Sequence, residues 1–107
     1  MTKVYYSVEK MYLEEKGHAG GGPEGQDIIC AGISSLTMAL LNMLIEHEEK
    51  GQIELKWQMA PGYFMIKARP KTEHFIQVVR DYYRVIIIGL KAMEQNNPGN
   101  ITMEEVR

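Results

Sequence analysis

The strongest constraint on the fold lies between residues 53 and 68. Ile53, Leu55, Trp57 and Met59 alternate with Glu54, Lys56 and Gln58, the period of a strand with one covered face. Ala60-Pro61-Gly62-Tyr63 then reverses the chain, because proline presets the first central position of a type II turn and glycine accepts the positive φ of the second. Tyr63 to Ala68 returns as an antiparallel partner with Phe64, Ile66 and Ala68 on one face.

A long helix precedes this hairpin. Ile28 through Glu49 run without proline and with Gly32 as their one glycine, and Gly51 supplies a stop. Asp27 is a favoured N-cap, its carboxylate able to accept the free amide hydrogens of the first turn. Ile29, Ile33, Leu36, Leu40, Met43 and Leu44 keep helical spacing, and Ile28, Ala39, Leu41 and Ile45 widen the stripe, as in a central helix covered on more than one side. Upstream, Val4, Tyr6 and Val8 alternate with polar residues in a strand from about Thr2 to Val8. Tyr12 to Lys16 is its hairpin partner, and the polar content of that segment implies an exposed or edge position. From Gly17 to Asp27, five glycines and Pro23 predict a mobile loop.

After Pro70, Thr72 can cap a last helix whose core-facing stripe is Phe75, Val79, Tyr82, Ile86, Leu90 and Met93, interrupted at Gly89. Asn96-Asn97-Pro98-Gly99 ends it, and the polar tail to Arg107 either frays or adds a short extended segment. The expected architecture is α/β, more narrowly α+β. It is a small single domain over 1–107 in the order β-β-α-β-β-α, with the central helix and a long C-terminal helix packed on a mainly antiparallel sheet.

Composition narrows the partners. Twelve basic against fourteen acidic residues leave a net charge of −2, unsuited to gripping a nucleic-acid backbone. The start Met1-Thr2-Lys3 opens no apolar segment of signal-peptide length, and the most hydrophobic run, Val85 to Leu90, is too short to span a bilayer. A single cysteine makes no internal disulfide and no multi-thiolate zinc site, so Cys30 is either a packed small hydrophobe or a reactive thiol, and a reduced cytosolic home suits both.

Candidate chemistry centres on His18 at the exit of a strand and Cys30 in the first turn of a helix twelve residues later. A thiol attacks as its thiolate, which the partial positive charge and free amides of a helix start would stabilise. With Asp27 as cap, Cys30 would be the third helical residue, and His18 could take its proton and return one to a leaving amine. A packed cysteine remains the alternative. Ser34 and Thr37 continue the polar stripe from Cys30, either steadying a site or bonding back to the helix backbone.

Gly20, Gly22 and Gly25 formally fit G-x-G-x-x-G, but Pro23, Glu24 and Asp27 put restriction and negative charge where a pyrophosphate would sit. His18, Cys30, His47 and His74 lack metal-ligand spacing, and His47 and His74 read as exposed helix residues. Lys67, Arg69 and Lys71 form a small basic cluster, most simply a solvated strand edge.

Gly17-His18-Ala19 and Asp27-Ile28-Ile29-Cys30-Ala31-Gly32-Ile33-Ser34, at this separation, resemble the ribosomal-processing cysteine protease family Prp of bacteria and some of their phages. The resemblance extends over nearly the whole chain, including the Pro61-Gly62 hairpin and the Gly89-Leu90 pair. It implies a cytosolic homodimeric endopeptidase without metal or cofactor. Its His18 would be the base, Cys30 the nucleophile, and Asp27 and Ser34 supporting residues. Ala19, Gly20, Gly21, Gly22 and Gly25 would belong to a loop that orders over the substrate. The implied substrate is a short N-terminal extension of a large-subunit ribosomal protein, cut after an aromatic residue, or a phage capsid or scaffold protein with a similar cleavage sequence. A rival expectation is a non-catalytic module of the same fold acting in ribosome or capsid assembly, with no direct contact to nucleic acid or membrane.

Overall fold

A computed structural model describes residues 1–18 and 25–107, with the side chains of residues 25–27 outside the described set. The elements are β1 (Thr2–Ser7), β2 (Tyr12–Lys16), α1 (Gly25–Glu49), β3 (Ile53–Ala60), β4 (Tyr63–Pro70), a 3-10 turn at Glu73–Phe75, α2 (Ile76–Asn96) and β5 (Ile101–Glu105). The five strands form one sheet in the order β3-β4-β2-β1-β5. All neighbours are antiparallel except β1 and β5, which run parallel. The expected order of elements holds, and the tail adds the fifth strand. That strand is held by the amide of Thr2, which donates to the Asn100 carbonyl, and by Glu94 of α2, whose carboxylate accepts from the Met103 amide at 2.8 Å.

The strand pairing defines rows of side chains across the face that the helices cover. Val4 opposes Glu15, Glu15 opposes Phe64, and Phe64 opposes Met59. One step along, Tyr6, Leu13, Ile66 and Trp57 form the next row. Leu13 and Ile66 are fully buried beneath Leu40 and Leu44 of α1 and Val79, Tyr83 and Leu90 of α2 in a single core. The Tyr83 hydroxyl donates to the Ile66 carbonyl at 3.1 Å, tying α2 to the middle of the sheet, and burial pushes that phenol's pKa up. By length and composition Ile28–Glu49 could cross a membrane. Here Ile33, Leu40, Leu41 and Leu44 of this helix are instead part of the protein core.

Five expectations are corrected. β2 is not at an edge but lies between β1 and β4, because its inner-face positions, Leu13 and Glu15, are both buried despite the polar composition. β3 is an edge strand, and its alternating apolar face is covered only near its start: Ile53 is buried, whereas Trp57 is 44% and Met59 51% exposed. The described part of helix α1 runs from Gly25, two residues before Asp27, although glycine disfavours a helix by about 1 kcal/mol against alanine. Asp27 is therefore inside the first turn rather than its N-cap, and Gly25 belongs to the helix rather than the loop. In α2 the buried residues are Val79, Tyr83, Ile86, Ile87 and Leu90, with Phe75, Tyr82 and Met93 packed on the flanks. Thr72 precedes the 3-10 turn and makes no side-chain capping bond.

His47 also differs from expectation. It is half-buried, with Nδ1 2.7 Å from Gln52 Oε1 and Nε2 2.9 Å from the Tyr82 hydroxyl, and so bolts the end of α1 to α2. His74 is exposed. Arg69 of the basic cluster reaches across to its strand partner Glu54, with Nε at 3.0 Å from Oε2, and holds that carboxyl below the usual range.

The two helices cross closely at small residues. A Cβ on Gly89 would lie 3.1 and 3.3 Å from the two methyls of Leu36, and one on Gly32 would lie 2.9 Å from the terminal methyl of Met93. The Leu36 methyls are wedged between helices, while Met93 ends in a flexible thioether. Gly89→Val is therefore expected to destabilise the protein by about 2 kcal/mol through overpacking. Gly32→Ala should change stability by less than about 1 kcal/mol, as helix propensity offsets the displacement of Met93. Urea unfolding of the two variants checks both values.

Candidate active site

Where α1 leaves the sheet, a cleft of about 280 Å³ opens between the first half of the helix and the ends of β2 and the β3–β4 hairpin. Cys30, Ile33, Ser34, Thr37 and Met38 line its helical wall. Their spacing of three and four residues puts all five on one face, so the stripe expected from Cys30 through Ser34 to Thr37 is a wall of the cleft. Cys30 is half-buried and Ser34 exposed. Thr37 is buried and spends its hydroxyl on the helix backbone, donating to the Ile33 carbonyl at 3.1 Å and the Ser34 carbonyl at 3.2 Å.

His18 stands across the cleft, exposed, just past the end of β2. Two glycines place it. Gly17 has φ +90°, and a Cβ there would come 2.5 Å from the Met1 carbonyl oxygen, a backbone atom with no freedom to retreat. Gly17 donates its amide to the Gly62 carbonyl at 2.8 Å, which ties the end of β2 to the hairpin turn. Gly62, at φ +72° as the type II turn requires, leaves room for the imidazole: a Cβ there would sit 3.0 Å from His18 Nε2. The sequence Gly17-His18 and the turn Pro61-Gly62, far apart in the chain, are thus two halves of one support.

Among the described residues α1 already includes Gly25, so Cys30 lies beyond the third helical position. The turn ahead of Cys30 runs through Asp27 and Ile28. Side chains on a helix lean toward its N-terminus, so the sulfur is directed back over that turn. The expected loop residues Ala19, Gly20, Gly21 and Gly22, and the Asp27 side chain, lie outside the described residues. Among the described residues no three His, Cys, Asp or Glu side chains converge, so the geometry assigns no metal ligands.

One lining residue was not anticipated. Glu15 is 7% exposed, and its Oε2 is buried with no hydrogen-bond partner among the described residues. Its placement follows from strand parity: Glu15 shares the inner face with Leu13, between Val4 and Phe64. Desolvation pushes its pKa up to about 8. On the opposite face, Glu14 accepts from the Tyr63 hydroxyl at 2.7 Å, and burial followed by the charge of Glu14 raises the Tyr12 phenol to about 12.

The match to known proteins is decided by the whole chain. A family model described as cysteine protease Prp matches residues 1–102. The chain belongs to this family. A search of curated proteins returned no match. Among solved structures, the essential ribosomal processing protease Prp from S. aureus in complex with a substrate peptide is 20% identical. It has a TM-score of 0.77, and the match covers 99% of this chain and 100% of that one. The same protease with a covalently linked product peptide is 22% identical, with a TM-score of 0.75 and the same coverage. SMU.848 from Streptococcus mutans is 24% identical with a TM-score of 0.72, covering 99% of this chain and 94% of that one. These likenesses establish the fold of this Prp-family protein, a cysteine protease by its family.

The Glu15 carboxyl makes stability depend on pH with a defined sign. An unfolded chain releases this proton near the ordinary value of 4.5, whereas the folded protein holds it to about 8. The folded state binds the extra proton between those limits, so the contribution is whole below the lower one and drains away as pH rises to the upper. Compared with Glu15→Gln, the parent protein should lose about 3 kcal/mol of unfolding free energy between pH 5 and pH 8, at about 1.4 kcal/mol per unit. Urea titrations of both proteins at the two pH values measure the difference.

Proposed function

We propose that Cys30 and His18 form the catalytic pair of this protease. The observation that carries the reading is that a histidine held after β2 and a cysteine on α1 line the same cleft. The cleft is open to an extended chain along the exposed hairpin residues Met59 and Ala60. His18 takes the thiol proton, and the Cys30 sulfur adds to the scissile carbonyl carbon. The developing oxyanion is stabilised by the free amides at the start of α1. As the C–N bond breaks, His18 returns its proton to the departing amine, leaving a thioester on Cys30. Water activated by the neutral imidazole then hydrolyses the thioester and restores the thiol. Ser34, one turn past Cys30 on the cleft wall, and Asp27, one turn before it, support the pair.

The substrate we infer is a short N-terminal extension of a large-subunit ribosomal protein, with a phage capsid or scaffold protein of similar cleavage sequence as the second reading. Family membership and the structural likeness to a protease described as ribosomal processing support it. We place the protein in the cytoplasm. We also propose that it works as a homodimer, in keeping with apolar side chains left on the surface of α1 and β3, among them Ile28 at 74% exposure. Light scattering on the purified protein should then give twice the 12.3 kDa chain mass, and a mass of one chain rejects the dimer.

Cys30→Ala is expected to abolish cleavage of peptides copied from such N-termini, and His18→Ala to slow it by at least about 100-fold. Both variants should keep the parent's unfolding midpoint to within a few degrees. Iodoacetamide at pH 6 should alkylate Cys30 faster than a small free thiol, and the His18→Ala protein more slowly than the parent. A Cys30 that resists alkylation until the protein unfolds, or a Cys30→Ala protein that still cleaves, would return the chain to the non-catalytic alternative.

A further inference from the structure

A carboxyl group has been placed where the fold calls for hydrocarbon. The row that holds Glu15 continues as Val4 on one side and as Phe64 and Met59 on the other, and the helix above contributes Ile33. An apolar side chain would fill this position at no electrostatic cost, whereas a buried carboxyl without a partner is destabilising. Oε2 is the one buried side-chain polar atom among the described residues without a hydrogen-bond partner. Glu15 also lines the cleft that holds Cys30 and His18.

We propose that Glu15 is a specificity determinant: its carboxyl group receives a substrate side chain that carries an N–H or O–H donor and reaches the cleft floor between Val4 and Phe64. This inference rests on the reading of the cleft as a peptide site. The walls formed by Ile33, Met38, Met59 and Phe64 accept the apolar stem or ring of such a side chain, and Glu15 satisfies its polar tip. A side chain with the right shape but no donor leaves Oε2 unpaired and out of reach of water. Discrimination of that kind is steeper than a hydrophobic pocket can achieve by size alone. Because burial raises the Glu15 pKa to about 8, the group at neutral pH offers both an O–H and a carbonyl oxygen, so neutral amides and hydroxyls are bound without separating charge.

The test uses the Cys30→Ala protein, which holds peptides without turning them over. Fluorescent peptides are varied one position at a time through near-isosteric pairs, Gln against Met, Tyr against Phe, and Lys against norleucine, and their affinities are measured by anisotropy. At one peptide position the donor-bearing member should bind at least tenfold more tightly. Adding Glu15→Met should reduce that ratio below twofold, while raising the thermal midpoint because the apolar row is completed. Glu15→Val is the second version, should the longer side chain misfold. The proposal is overturned if the pairs bind alike, if neither Glu15 variant changes the ratio, or if no peptide binds at all. The same peptides given to the protein with Cys30 intact keep the two readings apart. Preference at Glu15 without cleavage removes the protease reading alone, and cleavage with no effect of Glu15 on preference removes this one alone.

Discussion

The site depends on how α1 lies over the sheet. Its later turns press Leu40 and Leu44 into a closed core. Its earlier turns stand away from the ends of β2, β3 and β4, so one helix face is core at one end and cleft wall at the other. The same residue spacing serves both purposes, which is why an apolar helix carries Cys30, Ser34 and Thr37 on the side that faces the opening. On the facing side, the bond from the Gly17 amide to the Gly62 carbonyl fixes where His18 begins. Helix and turn are braced independently, and Cys30 and His18 line the cleft between them.

Much of the fold could be read from local pattern. The hairpin of β3 and β4 was legible because alternation and Pro-Gly chemistry agree, and Gly62 adopts the φ that chemistry demands. The helix carrying Cys30 was legible for its length and apolarity, and its start was missed because Asp27 has the composition of a cap although the helix already includes Gly25. Choosing Tyr82 over Tyr83 for the core was beyond local pattern. The residues are adjacent and identical, and both fit the helical spacing from Val79, which is buried as expected.

What stayed hidden was set by pairing between distant strands. Composition gave β2 an exposed position, yet insertion between β1 and β4 made it the middle of the sheet. Glu15 followed it inward, although its parity with Leu13 was visible all along. The motifs that hold His18 and Cys30 were legible. That Gly17 and Gly62 form a common support for His18 was not, since forty-five residues separate them and only the three-dimensional register brings them together.

The parallel pairing of β1 with β5 has a consequence for the order of assembly. The strand β1 finds its outer neighbour only among residues 101–105, so during synthesis that flank of the sheet stays open until those residues have emerged. β1 also supplies Thr2 to the cleft floor and the Met1 carbonyl that packs on Gly17. A nascent chain that has not yet extruded residues 101–105 therefore lacks one support of the strand that frames the cleft.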